Sequence, residues 1–265
     1  MQTHVADDWF VGFNTGLKAK FWRAASEPWA DEEAGAIAAL LDLPAGARVL
    51  DAPSGAGRIA LRLAKRGLDV TGIDISEEEV QEASRLAAER GVGARFERGD
   101  LRALPEEGFD AVVHWGNSFG YLPHHGTIEH VGSMRRALRH GGRLVLESMT
   151  VAESLLPEFR SELEYEAGGV TLRARHEYDP RHSRLLGQFD FRDSQGRTEG
   201  GPVIHHVYTV AEVVRLLEAA GFEVDELLAD PVARPPLLRR GAAAGGARNR
   251  GGERKERLQE DLGRP

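Results

Sequence analysis

The chain has 265 residues, of which 41% are hydrophobic and 29% charged, and it contains no cysteine. That composition suits a globular enzyme and excludes disulfides, thiolate metal sites and cysteine nucleophiles. The net charge of −8 is uneven: residues 234–265 hold nine Lys/Arg and four Asp/Glu, leaving 25 basic and 38 acidic side chains on the other 233 residues. An acidic body argues against a nucleic-acid partner, because neutralising phosphates needs a basic face. No stretch nears the roughly 20 apolar residues of a membrane span, and the N-terminus lacks a basic-then-apolar leader, so the expected compartment is the cytoplasm and no membrane partner is expected.

Residues 1–30 mix polar residues with Trp9, Phe10, Phe13, Phe21, Trp22 and Trp29. These do not fall on one stripe, which predicts one or two short helices with an irregular join. Asp31 is a candidate N-cap for a helix over 32–42 carrying Ile37, Leu40 and Leu41. A regular alternation follows: strand 48–51, helix 57–66 stopped by Gly67, strand 68–74, then a helix opened by Ser76 and Glu79 and closed at Gly91. Strands at 95–100 and 109–113, a helix over 125–139 and a strand at 143–148 continue it. Strands and helices alternating at this spacing predict a Rossmann-like, doubly wound α/β sheet.

The pattern then changes. Residues 163–208 alternate in short runs broken by Gly168-Gly169, Asp179-Pro180 and Gly200-Gly201-Pro202, which predicts an antiparallel β insertion forming a cap after strand five. Thr209 and Glu212 open a last helix over 210–220, and Phe222–Leu228 reads as a sixth strand. The expected organisation is an aromatic helical segment (1–30), a core (31–150), a cap (151–208), a return to the core (209–233) and a disordered Arg/Gly/Ala-rich tail (234–265).

The chemistry concentrates at ValLeuAspAlaProSerGlyAlaGly, residues 49–57. Gly55 and Gly57 allow a sharp turn at a strand end, but Gly-x-Gly alone is a weak signal. Asp51 sharpens it: a carboxylate beside this turn repels a pyrophosphate and attracts a cation. Asp74 ends the second strand, where an acid can accept both ribose hydroxyls. Asp100-Leu101 ends the third, where a carboxylate can take an adenine amino group beside an apolar cover. Three acids on one rim of an open α/β sheet favour a positively charged, phosphate-free nucleoside, S-adenosylmethionine, over a nicotinamide dinucleotide.

On these residues the sequence resembles the class I methyltransferases, over about 31–150. The resemblance implies methyl transfer from S-adenosylmethionine, held by Asp51, Ala52, Ser54, Gly55, Gly57, Asp74, Ile75, Asp100 and Leu101. The AsnSerPheGlyTyr segment at 117–121 is similar to bacterial small-molecule members, which implies that its backbone lies near the methionine part of the cofactor and the reacting methyl, with Trp115, Gly116 and Asn117 among the cofactor-binding residues. The β insertion resembles, more loosely, the lids of amino-sugar and glycine-type N-methyltransferases, which implies a small-molecule acceptor methylated on N or O. That family closes its sheet with two further strands, whereas the only apolar run after Asp230 here is Leu237-Leu238.

If the acceptor arrives protonated, candidate bases are His205, His206 and Tyr121, with Tyr208 and His114 behind them. His205 and His206 are adjacent, so within a strand only one can face the site. The N-terminal aromatics either line the acceptor pocket or simply pack. His124, His125 and His130 lack a zinc-helix spacing, so no metal is expected. The competing readings are a nicotinamide-dependent oxidoreductase, a cofactor-binding protein without turnover, and a tRNA or protein methyltransferase.

Overall fold

A computed structural model of the chain describes residues 5–106 and 108–229. Five parallel strands form the central sheet: β1 (Arg48–Asp51), β2 (Asp69–Asp74), β3 (Ala94–Arg98), β4 (Phe109–His114) and β5 (Leu138–Leu146), in the order β3-β2-β1-β4-β5. The order reverses between β1 and β4, so the crevice at their C-terminal ends is where such sheets bind ligands. Alternation along β1 feeds two cores. Val49 packs with Ile37 and Leu41 of α2 (Ala30–Leu41) and Leu63 of α3 (Ala60–Lys65) on one face. Leu50 packs with Val131 and Met134 of α5 (His124–Ala137) and Val213 of α7 (Val210–Ala219) on the other. The remaining helix of this layer, α4 (Glu77–Glu89), connects β2 to β3.

A separate antiparallel sheet of β6 (Glu162–Ala167), β7 (Val170–Asp179), β8 (Arg184–Asp193) and β9 (Thr198–His206) follows strand five, after the short helix α6 (Ala152–Leu155). A parallel bridge between Val151 and Tyr208 joins its two connections to the core. Its inner face packs on the N-terminal segment, a short turn at Trp9–Gly12 followed by helix α1 (Gly16–Ser26). Phe13, Leu17 and Phe21 meet Val170, Leu172, Phe189, Phe191 and Val203 in a third core.

Several local expectations are corrected. Asp31 does not cap α2; the helix begins at Ala30, and the Asp31 carboxylate accepts from Arg62 Nε at 2.8 Å. Helix α3 starts at Ala60 because the glycine turn occupies the positions before it. Among the described residues Phe222–Leu228 is not a strand of the sheet, only Leu228 making a single bridge, and β4 is the sole neighbour of β5. Residues 230–233 and the expected tail lie outside the described residues. Among the described residues no helix is long and apolar enough to cross a membrane.

Candidate active site

The site grows from the turn after β1. Ala52 N donates to Val113 O and Ser54 N to Ile73 O, so the chain leaving β1 is tied to both neighbouring strands. Gly55 and Gly57 then adopt φ of 52° and 78°, left-handed conformations that favour glycine. At Gly57 a Cβ would lie 2.7 Å from the Phe96 ring, so this glycine also lets β3 close over the turn.

Carboxylates hold the turn. Asp74 accepts from Gly55 N at 2.8 Å and from Ser76 N at 2.9 Å, and Asp51 accepts from Ala60 N, opening α3, at 3.1 Å. The Gly57 N–H goes to Ser54 O. Two of the turn's backbone donors, Gly55 N and Ala60 N, are thus spent on acids and a third, Gly57 N, on a carbonyl, which leaves fewer to grip a pyrophosphate. Burial pushes the Asp51 carboxyl up to about 7, against the pull of Arg58 and of the Ala60 N–H, with Asp74 adding to the rise. It raises Asp74 as well, against three backbone hydrogen bonds. A cation placed here relieves both desolvated acids at once.

Asp100 caps the turn at Leu101–Ala103 and accepts from Arg102 N at 2.8 Å and from its guanidinium at 2.6 and 3.0 Å. The Arg102 guanidinium holds its carboxyl below the usual range. Ile75 and Leu101 line the same groove, as do Trp115, Gly116 and Asn117 beyond β4. Gly116 is open, with no atom within 4 Å of where a Cβ would stand, and its N–H is held by Glu147 at 2.9 Å.

Sequence reasoning missed Glu79. It reads as the second half of a capping box, but the Ser76 N–H that it would bind is already taken by Asp74. Glu79 therefore turns to Arg23 of α1, at 3.0 Å, and is buried 3.8 Å from the Cβ position of Gly55. Burial raises it to about 6. Ser76 Oγ donates to Asn14 O at 2.7 Å and Gly16 N to Glu78 at 3.0 Å, so the N-terminal segment is latched to the rim that ends β2. No local pattern signals this, because the partners are more than 50 residues apart.

The five candidate bases separate. Tyr121 and His205 meet, with ring centroids 4.9 Å apart and Trp9 tilted against Tyr121 at 4.8 Å. Both line the void that takes in the glycine turn and the inner wall of the cap, and that runs on along β5 to residues 221–229. Asp74 is near enough to help burial raise the Tyr121 phenol. His205 is buried, its Nδ1 has no partner among the described residues, and burial lowers its imidazole to about 3. His206 points the other way, into a cavity of about 410 Å³ shared with His124, His182, Tyr208 and Glu212. His114 is fully buried against His130 and Phe119, which drops it to about 4. Among the described residues no group of three His, Cys, Asp or Glu could hold a metal ion.

Residues 49–142 match the family model described as a methyltransferase domain. An S-adenosyl-L-methionine-dependent Diels-Alderase of Talaromyces variabilis is 30% identical over 199 residues, 67% of this chain and 66% of that protein. A glycine/sarcosine N-methyltransferase of Aphanothece halophytica is 32% identical over 135 residues, 49% of this chain and 51% of that protein. The chain thus spans between half and two thirds of the length of these curated relatives. The CcbJ methyltransferase of Streptomyces caelestis shares the fold, with a TM-score of 0.68 at 23% identity over 80% of this chain and 85% of that one. So does CalS10 of Micromonospora echinaspora, an amino pentose methyltransferase solved with S-adenosylmethionine bound, with a TM-score of 0.62 at 24% identity over 77% and 88%.

Proposed function

The chain belongs to the class I S-adenosylmethionine-dependent methyltransferases, and from that membership we propose that it methylates nitrogen or oxygen of a small molecule held between the parallel sheet and the antiparallel one. The observation that carries the proposal is the carboxylate-held turn: Asp74 and Asp51 consume the N–H groups of Gly55 and Ala60. That arrangement suits a donor with cationic groups and no phosphate, and it disfavours the nicotinamide reading. Asp74 would take the ribose hydroxyls, Asp100 and Leu101 the adenine, and the segment from Trp115 to Asn117 the methionine end.

When bound, the donor supplies a methyl carbon on a positively charged sulfur that leaves as a neutral thioether. The protein's part is alignment and exclusion of water, worth up to about 7–11 kcal/mol in favourable cases. Tyr121 and His205 stand between the cofactor rim and the inner wall of the cap, where an acceptor would be oriented. A base near 3 has little drive to deprotonate a hydroxyl. A free amine needs no base, since it takes over the charge that the sulfur loses and sheds its proton later to water. His205 then serves as a hydrogen-bonding partner, and nitrogen is the favoured acceptor atom.

Calorimetry tests the core of this reading: S-adenosylhomocysteine should bind and NAD(P) should not. Tight dinucleotide binding with no response to S-adenosylhomocysteine removes the reading. The relative named a Diels-Alderase favours one second reading, a protein that holds the cofactor while assisting a reaction that moves no methyl. Formation of S-adenosylhomocysteine in step with product separates the two.

A further inference from the structure

The acceptor chamber has an electrical character of its own. Strand alternation sorts the cap's charges outward: Glu164, Arg173, Arg175, Glu177, Asp190 and Arg192 are exposed, and Arg173–Glu164 and Arg175–Asp190 pair on that surface. The inner row carries Leu163, Tyr165, Leu172, His176, Leu185, Phe189 and His205, all of which line the groove. The two acids on this face lie at its far end and are engaged: Glu199 accepts from Leu17 N at 2.9 Å, and Asp193 pairs with Arg197 at 2.6 Å. Of the nearby cations, Arg23 is committed to Glu78 and Glu79, and Arg160 is exposed at the rim.

The ionisable groups of the inner wall are also neutral. Burial lowers His176 and His205 and raises Tyr121 and Tyr165. At the mouth Trp22, Met149 and Phe159 are apolar side chains left exposed along the same groove. Among the described residues the inner row holds no Lys or Arg, Arg160 standing at the rim, so a carboxylate or phosphate seated against that row would lose water without gaining an ion-pair partner there.

We infer that the acceptor is a molecule with no negatively charged group and an apolar or aromatic body, seated against Leu185 and Phe189 with its polar group directed to the imidazoles of His205 and His176. The inference rests on the cap's inner wall being the acceptor site, as proposed above. It excludes amino-acid zwitterions such as glycine, as well as phosphorylated and nucleotide-linked acceptors.

The test uses the full chain saturated with S-adenosylhomocysteine and two naphthalene dyes, neutral prodan and anionic anilinonaphthalene sulfonate. Prodan should fill a single site at least about tenfold more tightly than the sulfonate. Leu185 is the cross-strand partner of His205 on this wall, so Leu185→Arg should reverse the order. If Leu185→Arg no longer binds S-adenosylhomocysteine, His176→Lys puts a cation on the same wall at a half-buried position. Equal or tighter sulfonate binding to the unmutated protein overturns the inference; so does failure of prodan to bind, or a preference unmoved by the added cation. Failure of S-adenosylhomocysteine to bind the unmutated protein sinks the methyltransferase reading separately.

Discussion

The amide of Gly55 donates to Oδ2 of Asp74 at 2.8 Å across 19 residues of sequence. The turn that ends β1 is thereby held by the acid that ends β2. The same carboxylate takes Ser76 N through its other oxygen, so one side chain sets both the glycine turn and the start of α4. Each carboxylate oxygen keeps lone-pair capacity for a ligand hydroxyl. The acid that shapes the cradle is therefore also positioned to read what fills it.

Asp74→Ala is expected to weaken binding of S-adenosylhomocysteine by about 1–3 kcal/mol, in line with losing hydrogen bonds to a charged group. It should also lower stability, because the Gly55 and Ser76 N–H groups lose their acceptor. Titration calorimetry and thermal unfolding read the two effects. Unchanged affinity in a folded variant would take Asp74 out of the site.

Asp51 gives the protein a pH signature. Its carboxyl sits at about 7 in the folded chain against 3.8 in the reference state. Between those values the folded state binds more protons than the unfolded one, so this group's contribution to stability falls as pH rises through that window and stays low above it. A bound cation favours the ionised carboxylate, so cofactor binding at about pH 6 should release protons. Calorimetry in buffers of different ionisation enthalpy measures that release, and Asp51→Asn should reduce it. Equal proton release in the variant refutes the assignment.

His205 is expected to orient the acceptor without acting as the base. With an imidazole at about 3, the acid limb of the kcat/KM profile should report the acceptor's own ionisation. His205→Gln should raise KM and leave the position of that limb unchanged. A limb that shifts or vanishes in the variant would restore a general-base role.

Phe21 tests whether the N-terminal segment and the cap share one core. Its ring is buried at 5.5 Å from Phe191, between centroids. Phe21→Ala should cost about 3–5 kcal/mol in denaturant unfolding. A loss below about 1 kcal/mol would mean that α1 docks without contributing to the fold.

Much of the architecture is legible in the order of residues. The strand and helix signals from Arg48 to Leu146 lie within a few residues of the observed elements, because each depends on a period and a stop signal only a few positions long. The Thr209–Glu212 capping box forms as its spacing predicts. The placing of Asp51, Asp74 and Asp100 at three strand ends follows equally, since a parallel sheet carries all its C-terminal ends to one rim.

Tertiary contact decided the rest. Asp31 has the sequence of a cap but serves as an ion-pair partner, because Arg62 comes within 2.8 Å of it. Glu79 left its expected box for Arg23 once Asp74 had claimed the Ser76 N–H. Adjacent His205 and His206 are chemically equivalent in sequence, and the pleat of β9 sends one to the chamber and the other to a separate cavity. Local periodicity determines which element a residue joins; the packing of distant elements determines which polar group it meets and how much water it keeps, and these set its chemistry.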